Sequence, residues 1–405
     1  MSNGALAAAA RPGAAAAEAA RRLTAFLRDD LGCHGTVALH EPSFEGNEWT
    51  YVKDCLDTGW VSSAGTYVER IECLTADICG AAHGVAVVNG TAGLHAALLA
   101  VGVGPGDAVV CPALTFIATA NAISYCGAVP LFADIETETG GLDPQALARL
   151  LRNECTQGPD GVVHKASRRR IAALLPVHLF GHPADMTALC ALADEFALPV
   201  VEDAAEALGS RRGDRGCGSL STVGVISFNG NKTVTTGGGG MIVTNDEALA
   251  ARLKHLTTTA RVADRWWFDH DAVGFNYRMP NINAALGCAQ LELLPTFVAR
   301  KRDLAARYSY LFDGVGGVTL FAEPTGCTSN FWLNALMFED AATRDRFLTL
   351  TNDADIQTRP CWRLIPDTAA YQDAPRAGDL PIARAFVERI VNIPSGPRLL
   401  RGDKD

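Results

Sequence analysis

At 405 residues, with 48% hydrophobic residues and 39 glycines, the chain is long enough to bury a substantial core and suits a two-domain α/β enzyme. Its net charge of -10, carried without any basic block, argues against nucleic acid as a partner. An anionic substrate would have to be met by local arginines instead.

The pattern over residues 15–30 predicts a helix with Leu23, Phe26 and Leu27 on one face, an arm (residues 1–36) ahead of the main fold. Arg11-Pro12 interrupts the alanine-rich start, which argues against a secretory signal. Strand-like runs at 85–88, 108–111, 130–133, 171–177 and 199–202 then alternate with helical runs at 92–101, 118–126, 144–152 and 184–196. That alternation predicts a mostly parallel sheet with helices on both faces, within a large domain over 37–280. A long helical stretch over 281–310, kinked at Pro295, leads into a smaller C-terminal α+β domain (281–405) with strands at 318–321, 332–337 and 356–359. Residues 398–405 read as a polar, frayed tail. No segment reaches the roughly 18 uncharged apolar residues of a membrane span. The twelve cysteines form no C-x-x-C pair and fit reduced, structural thiols in a cytoplasmic protein.

Between two apolar strands, at 223–228 and 241–243, lies Ser227-Phe-Asn-Gly-Asn-Lys232-Thr-Val-Thr-Thr-Gly-Gly-Gly-Gly240. A lysine near a core needs a salt bridge, a phosphate or a Schiff base with an aldehyde cofactor, and desolvation favours the last by making the amine nucleophilic. The plain alternative is a solvated lysine on an exposed hairpin. A phosphate-binding P-loop does not fit, because Gly224 and Gly230 are one position too far apart and Asn231 separates glycine from lysine.

In an open parallel sheet ligands bind where strands end, so residues at those ends carry the rest of the reading. Asn89-Gly90-Thr91-Ala92-Gly93 opens a helix whose free amides could bind phosphate or could simply be capped. Asp203 could pair with a protonated ring nitrogen or cap a helix. Phe116 could stack on a planar ring or belong to the core, and Ser227 offers a hydroxyl beside Lys232. Together these are the parts of a pyridoxal phosphate site. His178 and His182 have H-x-x-x-H spacing, but Gly181 and Pro183 break any helix there and no third ligand is evident, so no metal is expected.

From about Val37 to Pro394 the chain resembles the DegT/StrS-type sugar-nucleotide aminotransferases. The matching stretches are Thr58-Gly-Trp-Val-Ser-Ser63, Asn89-Gly-Thr-Ala-Gly-Leu-His95, Thr115-Phe-Ile-Ala-Thr-Ala-Asn121, Glu202-Asp-Ala-Ala-Glu206, Ser227 to Lys232 and Gly274-Phe-Asn-Tyr-Arg-Met279. The resemblance implies the fold type I architecture of pyridoxal phosphate enzymes and a homodimer with shared active sites. It implies Lys232 as Schiff-base lysine and proton shuttle, with Asp203 on the pyridine nitrogen and Phe116 on the ring. Gly90, Thr91, Ala92 and Ser227 would hold the phosphate, which Asn276 would reach from the other subunit. Glu206 stands where many members carry glutamine near the ring hydroxyl, and Trp60, Arg278 and Arg261 fall on the substrate side. His40-Glu-Pro-Ser-Phe-Glu-Gly-Asn-Glu-Trp49, the tetraglycine segment and Asn276-Tyr-Arg-Met-Pro-Asn281 look like the legionaminic acid and bacillosamine subgroup. There glutamate donates the amine to a UDP-linked 4-keto-6-deoxy-N-acetylhexosamine. Subgroup members often read Thr-Thr-Gln-Ala-Lys where this chain has Thr257-Thr-Thr-Ala-Arg261. Other relatives aminate a C3 or cyclitol ketone, or dehydrate a deoxysugar with histidine in place of the lysine. A cofactor-binding sensor without turnover is the non-enzyme reading.

Overall fold

The computed structural model describes residues 12–159 and 161–401; the first eleven residues of the expected arm and the last four of the expected tail lie outside them. Strands His83–Val87, Gly240–Thr244, Val223–Ser227 and Val201–Asp203 lie side by side in that order. Parallel bridges Leu174↔Val200 and Val177↔Asp203 join this sheet to Arg169–Leu174, beyond which lie Ala108–Pro112 and Val129–Ala133. All pairings between these strands are parallel except the two made by Gly240–Thr244. The parallel strands therefore all end at one edge of the sheet, where Asn89, Phe116, Asp203 and Ser227 fall.

Why these runs become central strands is plain from their burial. Val223–Ser227, Gly240–Thr244 and Ala108–Pro112 are buried at every position, as continuous apolar runs covered on both faces must be. Gly224 belongs to this logic, because a Cβ there would come within 2.2 Å of the Gly218 carbonyl. The helix Gly90–Ala100 is apolar almost all round and is buried to match.

Two expectations shift, and one, the kink at Pro295, is met. The helix over 144–152 ends at Arg149 and continues as a wider π turn, Leu150–Glu154. The helical stretch over 281–310 divides at Leu293 into Asn281–Glu292 and Leu294–Phe312, which meet at 57°. Pro295 is the cause, since it lacks the N–H that the preceding turn needs and its ring clashes with the carbonyl four residues back. The strand expected over 356–359 is reduced to Arg359–Pro360, while Ile356 instead forms a bridge with Val37. No single described helix is long and apolar enough to cross a membrane.

The C-terminal part carries its own sheet, ordered Val318–Leu320, Asn334–Phe338, Ile390–Ile393, Arg359–Pro360. Against it packs the helix Pro12–Ala25, whose Ala16, Ala19 and Leu23, with Leu27 of the π turn Phe26–Asp30 that continues it, share an apolar cluster with Leu304, Tyr308, Phe338 and Phe347. The N-terminal segment is thus stitched into the core built by the last third of the chain. A further cluster runs between the two sheets and joins Leu179 and Phe180 to Phe321, Trp332 and Phe386.

Leu23 is fully buried in this packing, so Leu23→Ala should lower unfolding stability by about 2–5 kcal/mol, whereas Arg21→Ala on the exposed face should stay within about 0.5 kcal/mol. Denaturant unfolding monitored by circular dichroism checks both.

Candidate active site

A cavity of about 660 Å³ opens at the strand ends, walled on one side by the large sheet and on the other by Trp332, Arg359, Trp362 and Asn392 of the C-terminal part. Of the residues singled out from sequence, Gly90, Thr91, Phe116, Asp203, Glu206, Ser227 and Lys232 all line it.

Lys232 lies in a turn segment after Val223–Ser227 and is only 13% exposed. Its Nζ donates to Glu206 Oε1 at 3.3 Å and sits 3.7 Å from the centre of the Trp332 ring. The ammonium is thus held by a carboxylate and by the negative face of an indole. Trp332 is fixed in turn by its Nε1, which donates to the Asn231 carbonyl at 2.7 Å, and by stacking on Trp362. Glu206 Oε2 accepts from the Phe180 amide at 2.9 Å. Burial pushes the Glu206 carboxyl above its ordinary pKa, and the nearby Lys232 charge pulls the other way.

Asp203 ends its strand fully enclosed. Its Oδ2 accepts from the Thr119 hydroxyl at 2.7 Å, and Thr119 in turn is 2.7 Å from Thr115. Its Oδ1 accepts from the Ala205 amide at 3.2 Å, forming a local turn rather than a helix cap, because 204–209 is not helical. Burial raises its pKa despite these hydrogen bonds and the positive charge of Lys232. Such a carboxylate accommodates a cationic partner within the cavity.

At the start of Gly90–Ala100 the Asn89 side chain accepts from the Ala92 amide at 2.8 Å. Asn89 therefore caps the helix and takes up the Ala92 amide, so Ala92 does not line the cavity, and the amides of Gly90 and Thr91 are left for a ligand. Two glycines make the close approach possible. A Cβ on Gly90 would lie 3.1 Å from Ser227 Cβ, and one on Gly240 would lie 2.8 Å from the Gly90 nitrogen. Phe116 leaves half of its surface open to the cavity, with its ring 5.8 Å from Trp362. Paired amides with a hydroxyl, an open ring face, an enclosed carboxylate and a lysine fit the phosphate, ring, ring nitrogen and aldehyde of pyridoxal phosphate in turn.

The remaining predicted residues lie elsewhere. Arg278 is not on the cavity wall: it is buried, with Nη2 on Glu72 at 2.8 Å and Nη1 donating to the Ala86 carbonyl at 3.1 Å, so its charge is spent holding the fold. Arg261 is exposed and lies over the Phe268 ring at 4.0 Å. Trp60 is 60% exposed and Asn276 is exposed beside Thr258; neither faces this chain's own cavity. His178 pairs with Glu202 through Nε2 at 3.0 Å and accepts the Ala184 amide on Nδ1, whereas His182 is wedged between Phe321 and Phe331. No group of metal-ligating side chains occurs among the described residues.

Sequence reading did not assign Trp332, Arg359, Trp362 and Asn392 to the site, and His40, quoted only as the start of a family-like stretch, also lines the cavity. Only Trp332 and Arg359 fell within a segment given any structure, and both were read as strand. Aromatic residues beside turns in the last third were the available signal.

Comparison with known proteins places this geometry in context. The DegT/DnrJ/EryC1/StrS aminotransferase family matches residues 42–405. The chain is 34% identical over 366 residues to a GDP-perosamine synthase of Vibrio cholerae, covering 90% of this chain and 95% of the relative. It is 36% identical to the GDP-perosamine synthase of Escherichia coli O157:H7, covering 90% and 94%. Its fold superposes on the aminotransferase TlmJ from Streptoalloteichus hindustanus with a TM-score of 0.82 at 31% identity, covering 91% of this chain and 96% of that one.

Two outcomes follow from the electrostatics. Removing Arg278 takes the nearer of two cations from the buried Glu72 carboxylate and leaves it Lys254 at 3.6 Å and the Ala86 amide, so Arg278→Ala should cost up to about 3 kcal/mol of stability in thermal or denaturant unfolding. For Asp203 the folded pKa lies above the unfolded one, so below the ordinary carboxylate range both states hold the proton and burial costs nothing. As pH rises through that range the unfolded chain releases its proton first, and the folded state loses stability. Asp203→Asn should therefore raise the melting temperature of the cofactor-free protein near about pH 7 and lose that advantage toward about pH 4.

Proposed function

The chain belongs to the DegT/DnrJ/EryC1/StrS aminotransferase family of pyridoxal phosphate-dependent sugar aminotransferases, and on that premise we propose that it moves an amino group from L-glutamate to the C4 ketone of a UDP-linked 4-keto-6-deoxy-N-acetylhexosamine. The product is a UDP-4-amino-4,6-dideoxy sugar of the legionaminic acid or bacillosamine type, made in the cytoplasm for surface glycans by a homodimer with shared sites. The observation that carries the amino-transfer reading is the meeting of Lys232 Nζ, Glu206, Asp203 and the start of Gly90–Ala100 in one cavity. The UDP-linked sugar rests on the stretches around His40, Lys232 and Asn276. A GDP-linked 4-keto-6-deoxysugar is the second reading, favoured by the identity to GDP-perosamine synthases.

When bound, pyridoxal phosphate supplies an electron sink and a carrier for the amino group between the two halves of the reaction. The amides of Gly90 and Thr91 and the Ser227 hydroxyl would hold its phosphate, Phe116 would cover its ring and Lys232 would bind its aldehyde. Asp203, its two oxygens fixed by Thr119 and Ala205, would hold the proton on the ring nitrogen. Lys232 Nζ would serve as the acid and base of both halves, taking the proton from the α-carbon of glutamate and delivering one to C4 of the sugar. Glu206 Oε1, beside Nζ, orients that amine. The aromatic wall of Trp332 and Trp362 excludes water from the proton's path.

The test is a panel of UDP- and GDP-linked 4-keto and 3-keto sugars with glutamate, scored for amino-sugar product by mass. A 4-amino product from the UDP-linked 4-keto-N-acetyl sugar supports the proposal, a preference for the GDP sugar moves it to the second reading, and a 3-amino product overturns C4. Lys232→Ala should lower turnover by at least about a thousandfold.

A further inference from the structure

The reactants of the proposed reaction are anions: glutamate brings two carboxylates and the nucleotide sugar a diphosphate. The cavity must offer them a cation that the cofactor does not consume. Lys232 is committed to the cofactor, Arg278 to Glu72, and Arg261 points outward onto Phe268. Among the described residues, Arg359 is the one arginine on the cavity wall.

Its setting is that of a cation held in readiness. Arg359 begins the short edge strand Arg359–Pro360, and its Cα partner in the neighbouring strand is Asn392, which also lines the cavity. One corner of the guanidinium is tied down: Nη1 donates to Asn352 Oδ1 at 2.9 Å and to the Thr358 carbonyl at 3.0 Å. Asn352 is itself braced, with Nδ2 donating to the Leu348 carbonyl at 2.8 Å and to Thr358 Oγ1 at 3.0 Å. Neither Nε nor Nη2 of Arg359 makes a hydrogen bond or ion pair within the described residues, unlike the forks of Arg300, Arg302 and Arg384, which close on Glu45, Glu323 and Asp367. A guanidinium oriented through one nitrogen, with the other edge open, presents the two parallel donors that an oxyanion takes. Asn392, nearly fully buried on the same wall, has its Nδ2 without a partner among the described residues.

We infer that Arg359 is the specificity-determining cation of this site, binding an oxyanion of the reactants through its open edge, and that Asn352 is the positioning residue that sets its angle. This rests on the amino-transfer reading above. The residue touches neither Lys232 nor Asp203, so it acts on binding rather than on proton transfer.

The experiment uses the enzyme loaded with the aldehyde form of the cofactor, with which neither probe reacts, and two probes titrated by calorimetry: 2-oxoglutarate, which presents carboxylates, and UDP, which presents the diphosphate. Arg359→Gln should weaken at least one of them about tenfold or more, with the cofactor absorbance and unfolding midpoint unchanged. Loss of 2-oxoglutarate alone assigns the donor carboxylate, and loss of UDP alone assigns the nucleotide. Arg359→Lys should restore only part of the affinity, because an ammonium cannot make the paired contact. Asn352→Ala should weaken the same probe by a smaller factor. In steady state the KM of the matching reactant should rise with kcat nearly constant. Equal affinities of wild type and Arg359→Gln for both probes, or no binding of either probe to wild type, would overturn the inference. Rejection of every keto sugar with a normal response to glutamate would instead sink the sugar assignment and leave the 2-oxoglutarate arm decisive.

Discussion

An ammonium group with little access to water has to be neutralised by what surrounds it, and at Lys232 two surfaces share that task. Glu206 offers a carboxylate oxygen and Trp332 the face of its indole. The two come from different parts of the chain, one from just after a central strand and the other from the C-terminal part. Neither half alone would hold the lysine where it is. Joining them is therefore a condition for the cavity to exist, and the apolar cluster shared by Phe180, Phe321, Trp332 and Phe386 meets it.

The same division of labour runs through the site. Parallel strands that end at one edge supply the polar groups: the helix start at Gly90, Asp203, and Ser227 leading to Lys232. Each is fixed by short, local hydrogen bonds, such as Asn89 to Ala92 or Thr119 to Asp203. The opposite wall combines Trp332 and Trp362, from segments between the strands of the small sheet, with Arg359 and Asn392, which lie on two of those strands. The acids, amides and amine are thus mounted at the ends of the large sheet, and the indole rings that face them come from loops.

How much of this the sequence disclosed follows from the range of the interactions. The central strands were legible because they are apolar at every position, and the residues at their ends were legible because an open parallel sheet places ligands there. Helices such as Glu48–Thr58, Thr66–Cys79 and Ala341–Asp353 escaped notice, since their apolar stripes are thin and interrupted by charges. Arg278 was misplaced for a physical reason: its partner Glu72 lies some two hundred positions away, and no local pattern announces a long-range ion pair. Trp362 and Arg359 reach the cavity only through the folding of the C-terminal part against the sheet, which periodicity does not encode.

One arrangement has a mechanical meaning. Glu206 is anchored through Oε2 by the amide of Phe180, a residue whose φ of 57° lies in the left-handed region and whose side chain is locked in the apolar cluster. The carboxylate is thereby a stationary post rather than a partner that follows the lysine. In the proposed reaction the amine would leave this post and find it unmoved on its return, so each cycle would start from the same place.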